Sequence, residues 1–106
     1  MSNRSKPFEE TLDRYLADPE EASAYLDAVL ESGDTQALLV ALRDVVKARG
    51  GINELAQVAG LSRETLYRTL SEEGNPTLDT LSKVLDFAGL RIAVTPAAPQ
   101  PHAQAS

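Results

Sequence analysis

The sequence contains no cysteine and no tryptophan, and it has one histidine, three tyrosines and two phenylalanines among 106 residues. Without cysteine there is no disulfide framework, no thiolate nucleophile and no cysteine-ligated zinc site. The one histidine, His102, lies in a proline-rich tail that holds no acid–base group in position. There is also no glycine-rich phosphate loop. These absences predict a protein that is not an enzyme and has no cofactor or metal.

Long apolar runs are also missing, and the first ten residues, MSNRSKPFEE, lack the apolar core of a signal peptide. A membrane span needs about 20 consecutive apolar residues. We therefore expect a soluble, cytoplasmic protein without a membrane partner. The length suits one small domain, which buries a modest core and gains stability from a partner chain.

The charge is acidic and unevenly divided along the chain. The net charge is -6, whereas proteins that bind nucleic acid usually carry a basic footprint. Residues 1–46 hold 10 acids and 4 bases, and residues 47–106 hold 6 of each, so the whole excess lies in the first half. This acidic half is either an ordinary solvated surface or the surface that meets a partner.

Apolar residues recur at helical spacing, which predicts an all-α fold. Residues 1–7 are expected to be disordered, and a short helix follows at residues 8–17. Asp18 and Asp34 are expected to cap the next two helices, because short acids accept hydrogen bonds from free N–H groups. Thr77 is expected to cap a last helix that Gly89 closes. Three apolar stripes are expected to form the core: Ala22, Tyr25, Leu26, Val29 and Leu30; Leu38, Leu39, Leu42, Val45 and Val46; and Leu78, Leu81, Val84, Leu85 and Ala88.

The chain ends differently from its helical body. Residues 90–95, LRIAVT, alternate between apolar and polar or small residues, which predicts a short strand. A lone strand in a helical domain leaves backbone groups unpaired, so it either pairs with another chain or packs on the helices as an extended tail. Residues 96–106 are rich in proline and alanine and are expected to be a disordered tail.

The central stretch, residues 52–70, is predicted to form two short helices joined by a tight turn. Gly60 suits the left-handed turn conformation, Leu61 fills the space beneath the turn, and Ser62 caps the second helix. Leu66 and Leu70 are four residues apart and face inward. The outward stripe of the second helix carries the candidate DNA-binding residues, Ser62, Arg63, Glu64, Tyr67 and Arg68.

These five side chains match the chemistry of base edges in a major groove, which admits one α-helix. An arginine can make a forked contact to guanine, and Glu64 can accept from a cytosine amino group or hold an arginine in position. Ser62 and Tyr67 can bond to phosphates or base edges. A solvated amphipathic helix with ordinary surface charges is the alternative interpretation.

Residues 41–94, which include GINELAQVAGLSRETLYRTL and LSEEGNPTLDTL, resemble the helix-turn-helix domains of phage-repressor-like regulators. More narrowly, roughly residues 8–94 resemble the addiction-module antidote family of HigA-like antitoxins. The resemblance implies a repressor-like five-helix fold with a short N-terminal helix and a short C-terminal strand. It implies an antitoxin that binds a small basic toxin, often an RNase, and represses its own operon by binding operator DNA. Thr69 departs from the pattern, which usually has an aliphatic residue there; Leu70 is expected to take that role.

The resemblance also gives the charge distribution a role, because an acidic half would suit a basic toxin and a neutral half would suit DNA. The acidic face is expected to include Glu9, Glu10, Asp13, Glu20, Glu21 and Asp27. A symmetric homodimer is expected, since one domain on one half-site binds weakly, and residues 90–95 are the candidate interface. Two alternatives stay open: a stand-alone transcriptional regulator without a toxin, and a protein-interaction module whose helix stripe binds a protein groove.

Overall fold

The computed structural model describes residues 6–97, with side chains from Glu10 onward. Within this range all regular structure is helical, which fits the predicted all-α class but not the predicted strand. The helices are α1 (Lys6–Leu16), α2 (Pro19–Ser32), α3 (Thr35–Arg49), α4 (Ile52–Ala59), α5 (Arg63–Thr69) and α6 (Leu78–Phe87). The predicted disorder at residues 1–5 and 98–106 lies outside the described residues, whereas Lys6 and Pro7 already belong to α1.

The predicted helix starts are confirmed by their capping hydrogen bonds. The side chain of Asp18 accepts from the backbone N–H of Glu20 at 3.0 Å, and that of Asp34 accepts from Ala37 at 3.1 Å. The Thr77 hydroxyl accepts from the N–H of Thr80 at 3.1 Å. These bonds satisfy N–H groups that the first turn of a helix leaves without a partner.

The core forms around α3, which packs against α1, α2, α4 and α6. Its apolar face is buried almost completely, and the other helices contribute the remaining buried side chains. The buried apolar residues are Leu16, Ala22, Leu26, Leu39, Ala41, Leu42, Val45, Val46, Leu55, Ala56, Leu66, Leu70, Val84 and Ala88. Arg49 of α3 also donates to the carbonyl of Ala17 at 2.9 Å, which ties the end of α1 to this central helix.

Two leucines assigned to the core from their helical spacing lie on the surface instead. Leu30, in the last turn of α2, is 57% exposed, and Leu78, the first residue of α6, is 70% exposed. Both follow the apolar face of their helix, so the periodicity was interpreted correctly. The burial prediction was wrong because no described element covers that face at these two helix ends.

The predicted C-terminal strand at residues 90–95 is absent. After α6 the backbone N–H of Leu90 bonds to the carbonyl of Leu85 at 2.8 Å, and residues 91–97 then run without regular structure. A strand requires a neighbouring strand to receive its hydrogen bonds, and residues 6–97 contain none. Leu90 packs against the core, while Ile92 and Val94 stay exposed.

Candidate nucleic-acid interface

The turn between α4 and α5 sets the angle between these two short helices. Gly60 has φ +69°, the left-handed conformation predicted for this position, and the N–H of Leu61 bonds to the carbonyl of Ala56 at 3.0 Å. Leu61 is partly buried against the core. Leu55 and Ala56 of α4 are buried, so the inner side of α4 packs into the core beside α5.

Ser62 starts α5 as predicted. Its hydroxyl oxygen accepts from the N–H of Thr65 at 3.0 Å, and the same hydroxyl lies 2.7 Å from the Thr65 hydroxyl. Leu66 and Leu70 are fully buried, which anchors the inner face of the helix. Thr69 does not disturb the helix, because its hydroxyl donates to the carbonyl of Thr65 at 2.9 Å. Leu70 thus fills the aliphatic role that Thr69 leaves open.

The five candidate DNA-binding residues remain together on the outer surface, which we call the α5 face: Ser62, Arg63, Glu64, Tyr67 and Arg68. All five are exposed, and Tyr67 is 59% exposed although it is a large aromatic residue. The face carries two cations and one anion, together with two hydroxyl groups. It offers forked donors, one carboxylate acceptor and one flat ring, which are the groups that base edges and phosphates can bind.

Asn53 is a further residue of this surface that the sequence analysis did not single out. Its side-chain oxygen accepts from the Arg63 guanidinium, with Nη1 and Oδ1 3.1 Å apart. Asn53 is exposed in the first turn of α4, so the bond spans the two short helices and restricts the orientation of Arg63. The available signal was a polar residue ten positions before an arginine, which has meaning only once the turn between them is known.

The C-terminal end of α5 is held from α3. The guanidinium of Arg43, which is partly buried, donates to the carbonyl of Leu70. Carbonyls in the last turn of a helix lack an intrahelical partner, so a cation placed there both satisfies one and suits the helix dipole. The Ser71 hydroxyl donates to the carbonyl of Arg68 at 2.8 Å and satisfies another.

Gly74 allows the loop after α5 to turn back against that helix. Its N–H bonds to the carbonyl of Ser71 at 2.8 Å. A Cβ at this position would lie far inside van der Waals contact with the backbone carbonyl of Thr69. The loop therefore depends on the small size of this residue, since its φ does not lie in the left-handed region.

The acidic face predicted on the first two helices is present in part. Glu10, Glu20 and Asp27 are exposed, Asp13 and Glu21 are half-buried, and the side chain of Glu9 lies outside the described residues. Asp13 lies 3.9 Å from the ammonium of Lys47 on α3. Glu21 raises the pKa of Tyr15 through a hydrogen bond and through repulsion of the phenolate charge. Exposed acids thus lie on both α1 and α2.

Among the described residues there is neither a candidate metal-binding cluster nor a helix that could span a membrane. The described part of the chain holds no group of three or more His, Cys, Asp or Glu side chains arranged to bind a metal ion. Among residues 6–97, no helix is both long and apolar enough to cross a bilayer.

Comparison with known proteins identifies the family. Residues 5–96 match the family described as probable addiction module antidote protein. An uncharacterized protein of Haemophilus influenzae is 36% identical over 94 residues, which span 89% of this chain and 94% of that protein. No solved structure matches the chain. The match extends from α1 to the segment after α6, so the chain belongs to the family of probable addiction module antidote proteins, which assigns it an antitoxin role in an addiction module.

Proposed function

We propose that this protein is the antitoxin of a type II toxin–antitoxin module, which neutralises a small RNase-type toxin and represses its own operon by binding operator DNA. The observation that carries the DNA-binding part is the α5 face. It is a short helix, capped at its start by Ser62, anchored by Leu66 and held at its end by Arg43, and it projects five polar side chains away from the core. Family membership supports the toxin partner.

In this mechanism α5 enters the major groove and its side chains divide the contacts. Arg63 and Arg68 make forked hydrogen bonds to guanines or bind the flanking phosphates. Glu64 accepts from a cytosine amino group, and Ser62 and Tyr67 bond to phosphates or base edges. Asn53 positions Arg63 before DNA arrives, which reduces the rotamer entropy lost on binding.

The acidic residues of α1 and α2 are proposed to meet the toxin. Glu10 and Glu20 are exposed, so a basic toxin would be attracted to this side of the molecule more strongly than to the neutral half. The positive charge of the α5 face is then local, and it does not require a basic protein overall. The two partners are accordingly assigned to different surfaces.

The protein is proposed to act on DNA as a homodimer. A single α5 contacts one half-site, and its affinity at physiological salt would be low. Two copies related by a two-fold axis double the contacts and match a palindromic operator. The helical fold leaves the α5 face uncovered by any described part of the same chain, so both copies of the helix are available.

DNA binding is tested by gel-shift or fluorescence anisotropy with the DNA upstream of the protein's own gene. We expect Arg63→Ala and Arg68→Ala each to weaken binding by about 5- to 150-fold, which corresponds to about 1–3 kcal/mol per specific base contact. The matched control is Arg14→Ala, which removes an exposed cation from α1 and should change the affinity little. Unchanged binding by both α5 variants would reject the α5 face as the DNA surface.

The toxin partner is tested separately with the neighbouring open reading frame. We expect it to encode a small basic protein that arrests growth when expressed alone and cleaves RNA when purified. Co-expression with the present chain should restore growth, and the two proteins should purify together. If the neighbouring gene encodes a protein without these properties and the present chain still binds its own promoter, the result would favour a stand-alone transcriptional regulator.

A further inference from the structure

An open apolar groove of about 410 Å³ runs between α2, α3, α6 and residues 90–95. Eight leucines and one isoleucine contribute to its lining, including Leu26 and Leu42 at its base and Leu30, Leu78 and Ile92 near the surface. The two leucines that the sequence wrongly assigned to the core therefore lie at the same place. The apolar faces of α2 and α6 thus extend from the core to the surface of the single chain.

The surface around this groove is unusually apolar for one small domain. Leu30 is 57% exposed, Leu78 is 70% exposed and Ile92 is 41% exposed, and Val94, two residues after Ile92, is 94% exposed. Single exposed leucines are common on protein surfaces, but several exposed aliphatic residues around one groove indicate a binding surface. No hydrogen bond to another described residue holds the backbone of residues 91–97.

The segment that follows residue 97 is a poor occupant for this groove. Residues 98–106, APQPHAQAS, contain no leucine, isoleucine, valine, methionine or aromatic residue. Such a segment could cover little apolar surface. Apart from alanine, it offers two prolines, His102 and three uncharged polar side chains, which would gain little from burial in this groove. A second molecule can supply the large aliphatic side chains that this segment lacks.

The charges of the groove select a second copy of this chain over a strongly charged partner. Asp27 and Arg91 are the two charged residues among those that line it, and neither forms an ion pair with another described residue. In a two-fold interface the same patch meets itself, so residue i of one copy faces residue j of the other and residue j faces residue i. A patch with one acid and one base satisfies both charges in this way, whereas a basic toxin would leave Arg91 repelled.

We propose that this groove is the two-fold interface of the homodimer, where the exposed aliphatic side chains of two copies pack together and Asp27 of each copy pairs with Arg91 of the other. The contact is made by side chains and does not require residues 90–95 to form a strand. No residue of α4 or α5 lines the groove, so the α5 faces of both copies stay free. The inference deepens the proposed function, on which it rests for the biological need for a dimer.

The apolar contact is tested by sedimentation equilibrium of the full-length chain without DNA. We expect the wild-type protein to be a dimer and Leu78→Asp to raise its dissociation constant about thirtyfold or more, the size of a central interface residue. Val58→Asp is the matched control, because Val58 is 69% exposed on α4 and is not among the residues that line the groove, so this variant should dimerise as wild type does. A monomeric wild type, or a Leu78→Asp dimer as tight as wild type, would overturn the proposal.

The charge pairing is tested by mixing two variants, which avoids any change to the apolar packing. An Asp27→Arg chain carries two cations in its groove and an Arg91→Asp chain carries two anions, so each alone should dimerise about tenfold more weakly or worse. An equimolar mixture should form a dimer with one chain of each kind, in which both pairs are restored. A mixture that associates no better than the separate variants would reject this interface.

These measurements separate the interface from the DNA-binding proposal. If the protein forms a dimer whose groove variants behave as expected but does not bind promoter DNA, the DNA-binding proposal is contradicted and the proposed dimer interface is supported. If the protein is a monomer that binds promoter DNA, only the proposed dimer interface is contradicted. Groove variants that dimerise normally but lose the toxin would assign the groove to the toxin and would also overturn the second-copy proposal.

Discussion

Two side chains outside α5 determine how the α5 face is presented. Asn53 of α4 accepts a hydrogen bond from Arg63 at one end, and Arg43 of α3 donates to the carbonyl of Leu70 at the other. Neither residue belongs to the five residues of the α5 face. Each acts by fixing a group that the helix itself leaves free, so single substitutions at either position should affect α5 without removing any DNA contact.

Asn53→Ala is expected to weaken promoter binding by about 2- to 12-fold, the value of one ordinary hydrogen bond of about 0.5–1.5 kcal/mol. Its thermal midpoint should stay close to wild type, since Asn53 is exposed. The control is Gln36→Ala, an exposed amide on α3. In an Arg63→Ala background the effect of Asn53→Ala should vanish, because a positioning residue acts through the residue it positions. A full effect in that background would show that Asn53 contacts DNA independently.

Gly74→Ala is expected to lower the free energy of unfolding by about 1–3 kcal/mol, because the added methyl group must displace the backbone near Thr69. Urea denaturation measures this change. The comparison is Gly33→Ala, where a methyl group would meet nothing within 4 Å and the cost of about 1–2 kcal/mol comes only from the left-handed φ of +74°. Promoter affinity should fall at Gly74 but not at Gly33; equal affinities in the two variants would contradict a role of this loop in holding α5.

At the scale of single elements, α5 is too short to be stable by itself. It has seven residues, whereas an isolated helix needs about 12–15 to be even marginally stable in water. Its stability therefore comes from the Ser62 cap, from the burial of Leu66 and Leu70, and from Arg43. The helix that carries the candidate site thus depends on the capping residue Ser62, which directly precedes it.

Substitutions of Ser62 separate the stability of α5 from its contact with DNA. Ser62→Ala should lower the free energy of unfolding by about 1 kcal/mol through loss of the cap, and it should weaken promoter binding as well. Ser62→Asp should keep the cap and the stability, because aspartate caps well and suits the helix dipole, yet its charge should repel phosphates. Chemical denaturation and anisotropy measure the two effects. Wild-type promoter affinity in Ser62→Asp would remove Ser62 from the DNA-facing set.

At the scale of the whole molecule, the fold separates its charges in space as well as along the chain. Most acids of the first half lie on α1 and α2, which pack against α3, whereas α5 packs against α4, which in turn contacts α3. The proposed groove includes Asp27 of α2, which also belongs to the acidic face, but it includes no residue of α1 or α5. One small domain can thus contact DNA and a second copy through different surfaces, and its toxin surface meets the groove only at α2.

Charge reversal tests the acidic face. Glu10→Lys combined with Glu20→Lys should slow association with the toxin by about tenfold at low salt, and the difference should shrink as salt screens the charges. Dissociation should change less, because steering acts mainly on encounter. The control is Glu72→Lys with Glu73→Lys, which makes the same charge change in the exposed loop after α5. Stopped-flow rates equal to wild type at every salt concentration would exclude this face as the toxin surface.

The sequence by itself determined the features that depend on local interactions. A cap bonds to an N–H only two or three residues away, so Asp18, Asp34, Ser62 and Thr77 could be assigned from their positions. Helical period likewise predicted that Leu66 and Leu70 face inward while the five residues of the α5 face stay exposed. The side of each helix is fixed by its own spacing and needs no knowledge of its neighbours.

Only the tertiary structure decided what covers each apolar side and which distant residues meet. Leu30 and Leu78 have the spacing of core residues, but burial requires a neighbouring element, and at these helix ends the single chain supplies none. Residues 90–95 have the alternation of a strand, but a strand needs a partner to accept its hydrogen bonds. The bonds from Arg63 to Asn53 and from Arg43 to Leu70 join residues 10 and 27 positions apart, so they exist only because packing brings those helices together.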